Sequence, residues 1–426
     1  MPLDDVNELH EAASAGSTAH TLAALSRGSI DIDEGRYTPL MIAACDGHLD
    51  VAKILLEKGA SVSKRSDKGA TALHGAAQAG FLAVTKLLVK AGAPLEAATF
   101  SNGSTPLHMA ASRGHSKVMS VLIEAGANPN SRRLDGATPL LRAADSGHAD
   151  AVKLLLRVEA DPLLEAEDQS GHYFGPLEVA AGRGHSEVVR ELIQYRGIEG
   201  CGGESGGKNA LESAANVGIA GMLTAAGVVD TGAALIYAAR LGRVAITKFL
   251  LQQPKGSTKR RRAYANARSR DGSGTTALMT AICGYSLKIT RLLVDAGADT
   301  TSAVNAELEN GKLVFKVTPL AVTTRLLREM NRKTRLGRGR KEEEGKLNSL
   351  KAVHRLLLQV GAVHAVSWLW PRNAASVTPV IGAVLEGSDK TQPTSTTLPA
   401  AMPILRRRTQ RSRVFLAALF RNSAKP

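Results

Sequence analysis

The 426-residue chain carries 54 Lys and Arg against 39 Asp and Glu, a formal charge of +15, and only 4% aromatic residues. So few rings exclude a core built on bulky aromatics and fit helices packed through Ala and Leu. No run reaches about 18 apolar residues, and Met1-Pro2-Leu3-Asp4-Asp5 is acidic, so neither a membrane span nor a signal peptide is expected.

Along the chain, Leu9 opens a unit with Ala12-Ala13 and Gly16 that lacks Thr-Pro and begins with acidic residues, as a wet-faced N-terminal cap of a repeat array should. From Thr38-Pro39-Leu40 the phrase recurs at Thr71-Ala72-Leu73, Thr105-Pro106-Leu107 and Thr138-Pro139-Leu140, with the Leu positions 33, 34 and 33 residues apart. The wording has a mechanism. The Thr38 hydroxyl caps a helix, Pro39 suits a first turn where its missing N–H has no partner to lose, and Gly47 supplies the positive φ that ends the helix. Leu40, Ala43 and Ala44 share one face of this short helix. Val51, Ile54 and Leu55 give a second helix its apolar face before Gly59 closes it. One unit is therefore a helix, a turn, a helix and a hairpin-like loop.

In this period and wording the chain resembles the ankyrin repeat family. Thr105-Pro106-Leu107-His108-Met109-Ala110-Ala111-Ser112-Arg113-Gly114-His115, followed by Val121-Leu122-Ile123-Glu124-Ala125-Gly126-Ala127, comes nearest to the family pattern. Units anchor at Leu9, Leu40, Leu73, Leu107, Leu140, Leu177, Leu211, Leu235, Leu278 and Leu320, which predicts an all-α solenoid of about ten helix-turn-helix units over residues 1–370. The array is strong over 33–197 and degenerate over 198–365.

The degeneracy has particular sites. The Leu211 unit has three residues fewer between Gly218 and Gly227 than lie between Gly47 and Gly59, predicting a second helix short by almost a turn and a soft joint in the array. In the Leu278 unit Tyr285 replaces the turn glycine, which puts that turn's geometry in question. Basic inserts are placed at 252–270 and 328–347, the second interrupting the Leu320 unit after Leu327 until its second helix resumes near Val353. Residues 371–426 read as a disordered basic tail, Ser/Thr/Pro-rich over 376–403, with an apolar run at 414–420 behind five arginines.

The positive charge is concentrated. Residues 252–270, 325–346 and 371–426 carry +7, +5 and +7, leaving −4 on the rest. Lys259-Arg260-Arg261-Arg262 and Arg406-Arg407-Arg408 with Arg411 and Arg413 have the composition of import signals or phosphate-binding patches, and equally of solvated loops. No aromatic ladder accompanies them to stack bases.

Three features imitate enzyme chemistry. Gly202-Gly203-Glu204-Ser205-Gly206-Gly207-Lys208 resembles a phosphate loop, but Asn209 stands where a magnesium-binding hydroxyl belongs and a helix precedes it. His10-Glu11-Ala12-Ala13-Ser14 opens like a zinc-protease helix, but Ser14 occupies the second ligand position. His74 and His108 after Thr-x-Leu, and His48, His115, His148 and His185 after the turn glycine, recur at unit spacing, as structural hydrogen-bonding residues do. No catalytic constellation, metal or cofactor is expected.

The resemblance implies a non-catalytic adaptor or scaffold that binds protein through hairpin tips and the exposed ends of first helices along a concave groove. Mapped onto this sequence, the tips are Tyr37, Lys68, Asn102, Leu134, His172, Tyr173 and Phe174, and the helix ends Asp46, Gln78, Arg113, Asp145 and Arg183. Tyr37, Tyr173 and Phe174 stand as aromatic anchors. The alternative is a nuclear regulator that grips nucleic acid or an acidic partner through the basic segments; stable membrane binding is not expected. Three cysteines, Cys45, Cys201 and Cys283, odd in number and far apart, point to a reducing compartment, the cytoplasm with the nucleus as alternative, and leave the sequon at Asn102 unglycosylated.

Overall fold

The computed structural model describes residues 3–26, 31–169, 171–197, 209–228, 230, 232–253, 258–269, 274–301, 304–306, 315–335, 341–361 and 366–367. The phosphate-loop-like stretch 202–208, Cys201 and the tail 371–426 lie outside them. The chain folds as two compact units, Met1–Asp230 and Thr231–Pro426.

In the first unit, paired helices at Leu3–Ser14 and Thr18–Ser26, Pro39–Asp46 and Leu49–Glu57, Ala72–Ala79 and Leu82–Lys90, Pro106–Arg113 and Ser116–Glu124, Pro139–Ser146 and Ala149–Arg157, and Pro176–Arg183 and Ser186–Arg196 repeat the pattern read from the sequence. First helices pack on neighbouring first helices and second helices on second helices. The Leu that anchors each unit is the peg between layers: Leu9, Leu40, Leu73, Leu107 and Leu140 are fully buried and Leu177 is 1% exposed. Burying one such side chain contributes about 2–3 kcal/mol, so the repeated Leu carries a large share of each interface. Thr38 Oγ1 accepts the Met41 N–H at 3.3 Å, and Gly47 sits at φ 82°, which is the capping and termination its sequence implies.

Recurring histidines tie units together. His74 Nδ1 accepts the Thr71 N–H at 3.1 Å and Nε2 donates to the Ser104 carbonyl at 3.0 Å; His108 does the same with Thr105 at 3.3 Å and Ala137 at 3.0 Å. On the other side, Nε2 of His48, His115, His148 and His185 reaches back to the carbonyls of Ser14, Gln78, Ser112 and Asp145 at 2.9–3.2 Å. Each bond satisfies a carbonyl near a helix or hairpin end. The histidines are structural, as their spacing implies.

Four expectations need correction. The second helix of the Leu211 unit, Val217–Ala225, has nine residues, as many as Leu49–Glu57, and Asn216 caps it by accepting the Ile219 N–H at 2.9 Å. Tyr285 keeps the turn, entering the left-handed region itself at φ 57°. In the Leu320 unit the helices extend into the insert, as Pro319–Arg335 and Lys341–Gln359. Within 252–270, Thr258–Ala265 forms a helix. The second unit otherwise continues with Ala233–Arg240 and Val244–Gln252, then Ala277–Cys283 and Leu287–Asp295, and its pegs Leu235, Leu278 and Leu320 are at most 1% exposed.

Two loops contain strand pairs. Ala166–Glu167 pairs antiparallel with Tyr173–Phe174, and Val304–Ala306, Phe315–Val317 and Val366–Ser367 form a three-stranded patch in that order. The first pair follows from spacing: Leu140 to Leu177 is 37 residues, longer than the preceding steps, and the extra chain lengthens the finger.

Candidate functional site

In Met1–Asp230 the hairpin tips form fingers bonded one to the next. Phe100 N–H donates to the Lys68 carbonyl at 2.9 Å, Leu134 N–H to Asn102 at 3.0 Å, and Glu167 N–H to Asp135 at 2.9 Å. Guanidinium groups add to this: Arg65 donates to the Ala98 carbonyl and lies over the Phe100 ring at 4.8 Å, and Arg132 donates to the Glu165 carbonyl at 2.8 Å. The backbone donors and acceptors of successive tips are therefore used internally, and side chains are left to meet a partner.

The expected site residues divide by what the fold does with them. Tyr37 is 43% exposed, with its carbonyl held by His10 at 2.8 Å. Asp46, Lys68, Gln78 and Arg113 are exposed. Asn102 is a turn residue, its Oδ1 accepting from Thr99 Oγ1 at 2.8 Å and Ser104 N–H at 3.1 Å. Asp145 and Arg183 are joined: Asp145 pairs with Arg183 at 3.0 Å and with Arg142 at 2.9 Å. Phe174 turns inward, packing on the cluster of Ala137, Leu141 and Ala166 together with Val179. Strand alternation explains the split, since Tyr173 and Phe174 are consecutive and must face opposite sides.

Leu134, 77% exposed, and Tyr173, 54% exposed, are brought together on a cleft of about 640 Å³ between the finger of the Leu140 unit and the lengthened finger of the Leu177 unit. Arg132, Arg133, Asp135, Glu165, Glu167 and Asp168 also line it. Its charges are largely pre-arranged. Arg133 pairs with Asp135 at 3.2 Å, and a hydrogen bond to Glu167, with that residue's charge, holds the Tyr173 phenol above its usual range. His172 does not line the cleft; it lies 3.8 Å from Glu178, whose carboxyl burial pushes up and His172 draws down. Of the cleft residues, the sequence named Leu134 and Tyr173 but missed the carboxylates of 165–168; the four-residue excess in spacing was the signal for them.

The two described cysteines are free thiols. Burial pushes the Cys283 thiol up to about 11, and burial with Asp46 raises Cys45, so neither is a thiolate at neutral pH. Among the described residues no group of His, Cys, Asp or Glu is arranged to hold a metal ion, and no helix is long and apolar enough to cross a membrane.

A family model described as "Ankyrin repeats (3 copies)" matches residues 9–99, 93–166 and 220–304, more than half of the chain. The chain belongs to the ankyrin repeat family, whose arrays are generally protein–protein interaction modules. It is 47% identical over 60 residues to the mouse Protein fem-1 homolog A-like, matching 14% of this chain and 9% of that protein. Over 94 residues it is 34% identical to the mouse B-cell lymphoma 3 protein homolog, 21% of each chain. A putative ankyrin repeat protein of Rickettsia bellii is 45% identical over 67 residues, 16% of this chain and 28% of the other. The chain thus spans less than a third of the length of each of these relatives. Among solved structures, the human ASB11 ankyrin repeat domain aligns with TM-score 0.45 and 28% identity, covering 52% of this chain and 98% of that one.

Proposed function

We propose that this chain is a non-catalytic adaptor that captures a protein partner along the fingers and first-helix ends of the Leu40 to Leu177 units. The observation that carries the reading is the cleft between the last two fingers, where Leu134 and Tyr173 present apolar surface that the fold itself leaves uncovered. Exposed large side chains held on a braced backbone lose little entropy on binding and serve as anchors. Tyr37, Asp46, Lys68, Gln78 and Arg113 extend the surface toward the N-terminus. Phe174 is excluded from it, and Asp145 and Arg183 enter as a preformed ion pair. The cytoplasm is the compartment this reading favours.

The test is capture from cell lysate with the full chain, identification of the bound protein, and titration of that protein against Leu134→Ala and Tyr173→Ala. Each substitution should weaken binding at least fivefold, about 1 kcal/mol, with helical content unchanged. A captured partner indifferent to both would refute this site.

A further inference from the structure

The two compact units differ sharply in charge. Residues 1–230 carry 20 Lys and Arg against 28 Asp and Glu, whereas residues 231–361 carry 25 against 9, a net of +16. Between 231 and 269 there is no carboxylate at all. Excess charge of one sign on a folded unit raises its potential over the whole surface and attracts polyanions.

The first basic insert contains an exposed helix, Thr258–Ala265, packed on Val244–Gln252. Ala265 is its buried residue, and Asn266, just beyond, anchors it by donating to the Gly297 carbonyl at 3.1 Å and accepting the Asp299 N–H at 2.6 Å. Lys259, Arg260, Arg261 and Arg262 are all exposed, as is Arg268. Four consecutive helical residues fan through about 300° while rising about 4.5 Å.

From this arrangement we propose that the Thr231–Pro426 unit binds double-helical nucleic acid through its phosphates, with the helix Thr258–Ala265 as the contact. A fan of cations reaches two flanking rows of phosphate, as a groove offers; a flat membrane surface meets only one side of it. Its fully exposed residues include no apolar side chain larger than alanine, and Tyr264 is part-buried, so it lacks the apolar face that inserts into lipid. Where burial is described in this unit, the aromatic side chains Tyr237, Phe249, Tyr264 and Tyr285 are all part-buried, which leaves no open row of rings on which single-stranded bases would stack. Recognition is therefore electrostatic and independent of base sequence, and its affinity falls steeply with salt.

The experiment is fluorescence anisotropy of the full chain with a labelled random-sequence duplex across a salt series. Wild type is compared with Lys259→Gln/Arg261→Gln/Arg262→Gln and with a charge-matched control in the acidic unit, Lys86→Gln/Lys90→Gln/Lys117→Gln. Arg260 is left in place, and circular dichroism confirms that the variants remain folded. Wild type and control should bind alike. The helix variant should bind at least about tenfold more weakly at 100 mM salt, with the slope of log affinity on log salt shallower by about 2–3. The proposal is overturned by absence of duplex binding at 50 mM salt, or by binding that the helix variant leaves unchanged, which would put the contact elsewhere. It is also overturned by tighter binding to a single strand than to the duplex, or by binding to phosphatidylserine vesicles alone.

Discussion

His108 offers a direct test of how the units are held together. Its ring is 2% exposed, takes the Thr105 N–H on Nδ1, and donates from Nε2 to the Ala137 carbonyl of the next unit, so it is neutral in the folded state. Burial lowers its pKa to about 4 from the ordinary 6.5. The unfolded chain binds a proton below pH 6.5 and the folded chain does not until pH 4, so this contribution to stability is complete above 6.5 and lost as pH falls toward 4. A separation of 2.5 units corresponds to about 3 kcal/mol in total, of which about 2 kcal/mol is already lost at pH 5. Urea unfolding of the full chain at pH 7 and pH 5, compared with His108→Gln, isolates the effect because glutamine does not titrate. At pH 7 the variant should be less stable by about 1–3 kcal/mol for its broken inter-unit bonds. Between pH 7 and pH 5 it should lose about 2 kcal/mol less than wild type. Equal losses in the two proteins would refute the assignment of a buried neutral imidazole.

Gly80 and Gly92 share nearly the same left-handed φ, 83° and 80°, but a Cβ at Gly80 would meet His115 Cε1 at 2.6 Å whereas Gly92 faces open space. Gly92→Ala should therefore cost about 1 kcal/mol and Gly80→Ala about 2 kcal/mol or more, measured by urea titration; equal costs would mean that the histidine tie moves aside freely. Phe174→Ala should destabilise the fold by about 1–3 kcal/mol, because it opens the cluster around Ala137, Leu141 and Ala166. Tyr173→Ala, at a 54% exposed position, should stay within about 0.5 kcal/mol of wild type in the same assay.

The repeat architecture was legible in the sequence because it is local. Thr-Pro-Leu, Ala-Ala and Gly act through capping, helix-face spacing and positive φ within one unit, and a short-range rule repeated along the chain needs no long-range knowledge. The histidine ties were legible for the same reason, since identical units stacked in order put identical side chains beside identical carbonyls. What failed was each inference that treated a departure from the period as damage. The short spacing from Gly218 to Gly227 implied a shortened second helix, yet Asn216 caps one of full length, Val217–Ala225. The charge run at 259–262 left open whether it was a binding patch or a solvated loop; the stretch from Thr258 to Ala265 contains no residue that forbids a helix, and packing on Val244–Gln252 settled its state. The candidate site divides along the same line. Position in the repeat identified Leu134, Tyr173 and Phe174 as finger residues, but which of them faces outward depends on strand register, and Ala166 opposite Phe174 was set only when the lengthened finger folded back on itself. Whether Asp145 and Arg183 are free or joined, 38 residues apart, depended on how closely consecutive layers stack, a distance that belongs to the tertiary structure alone.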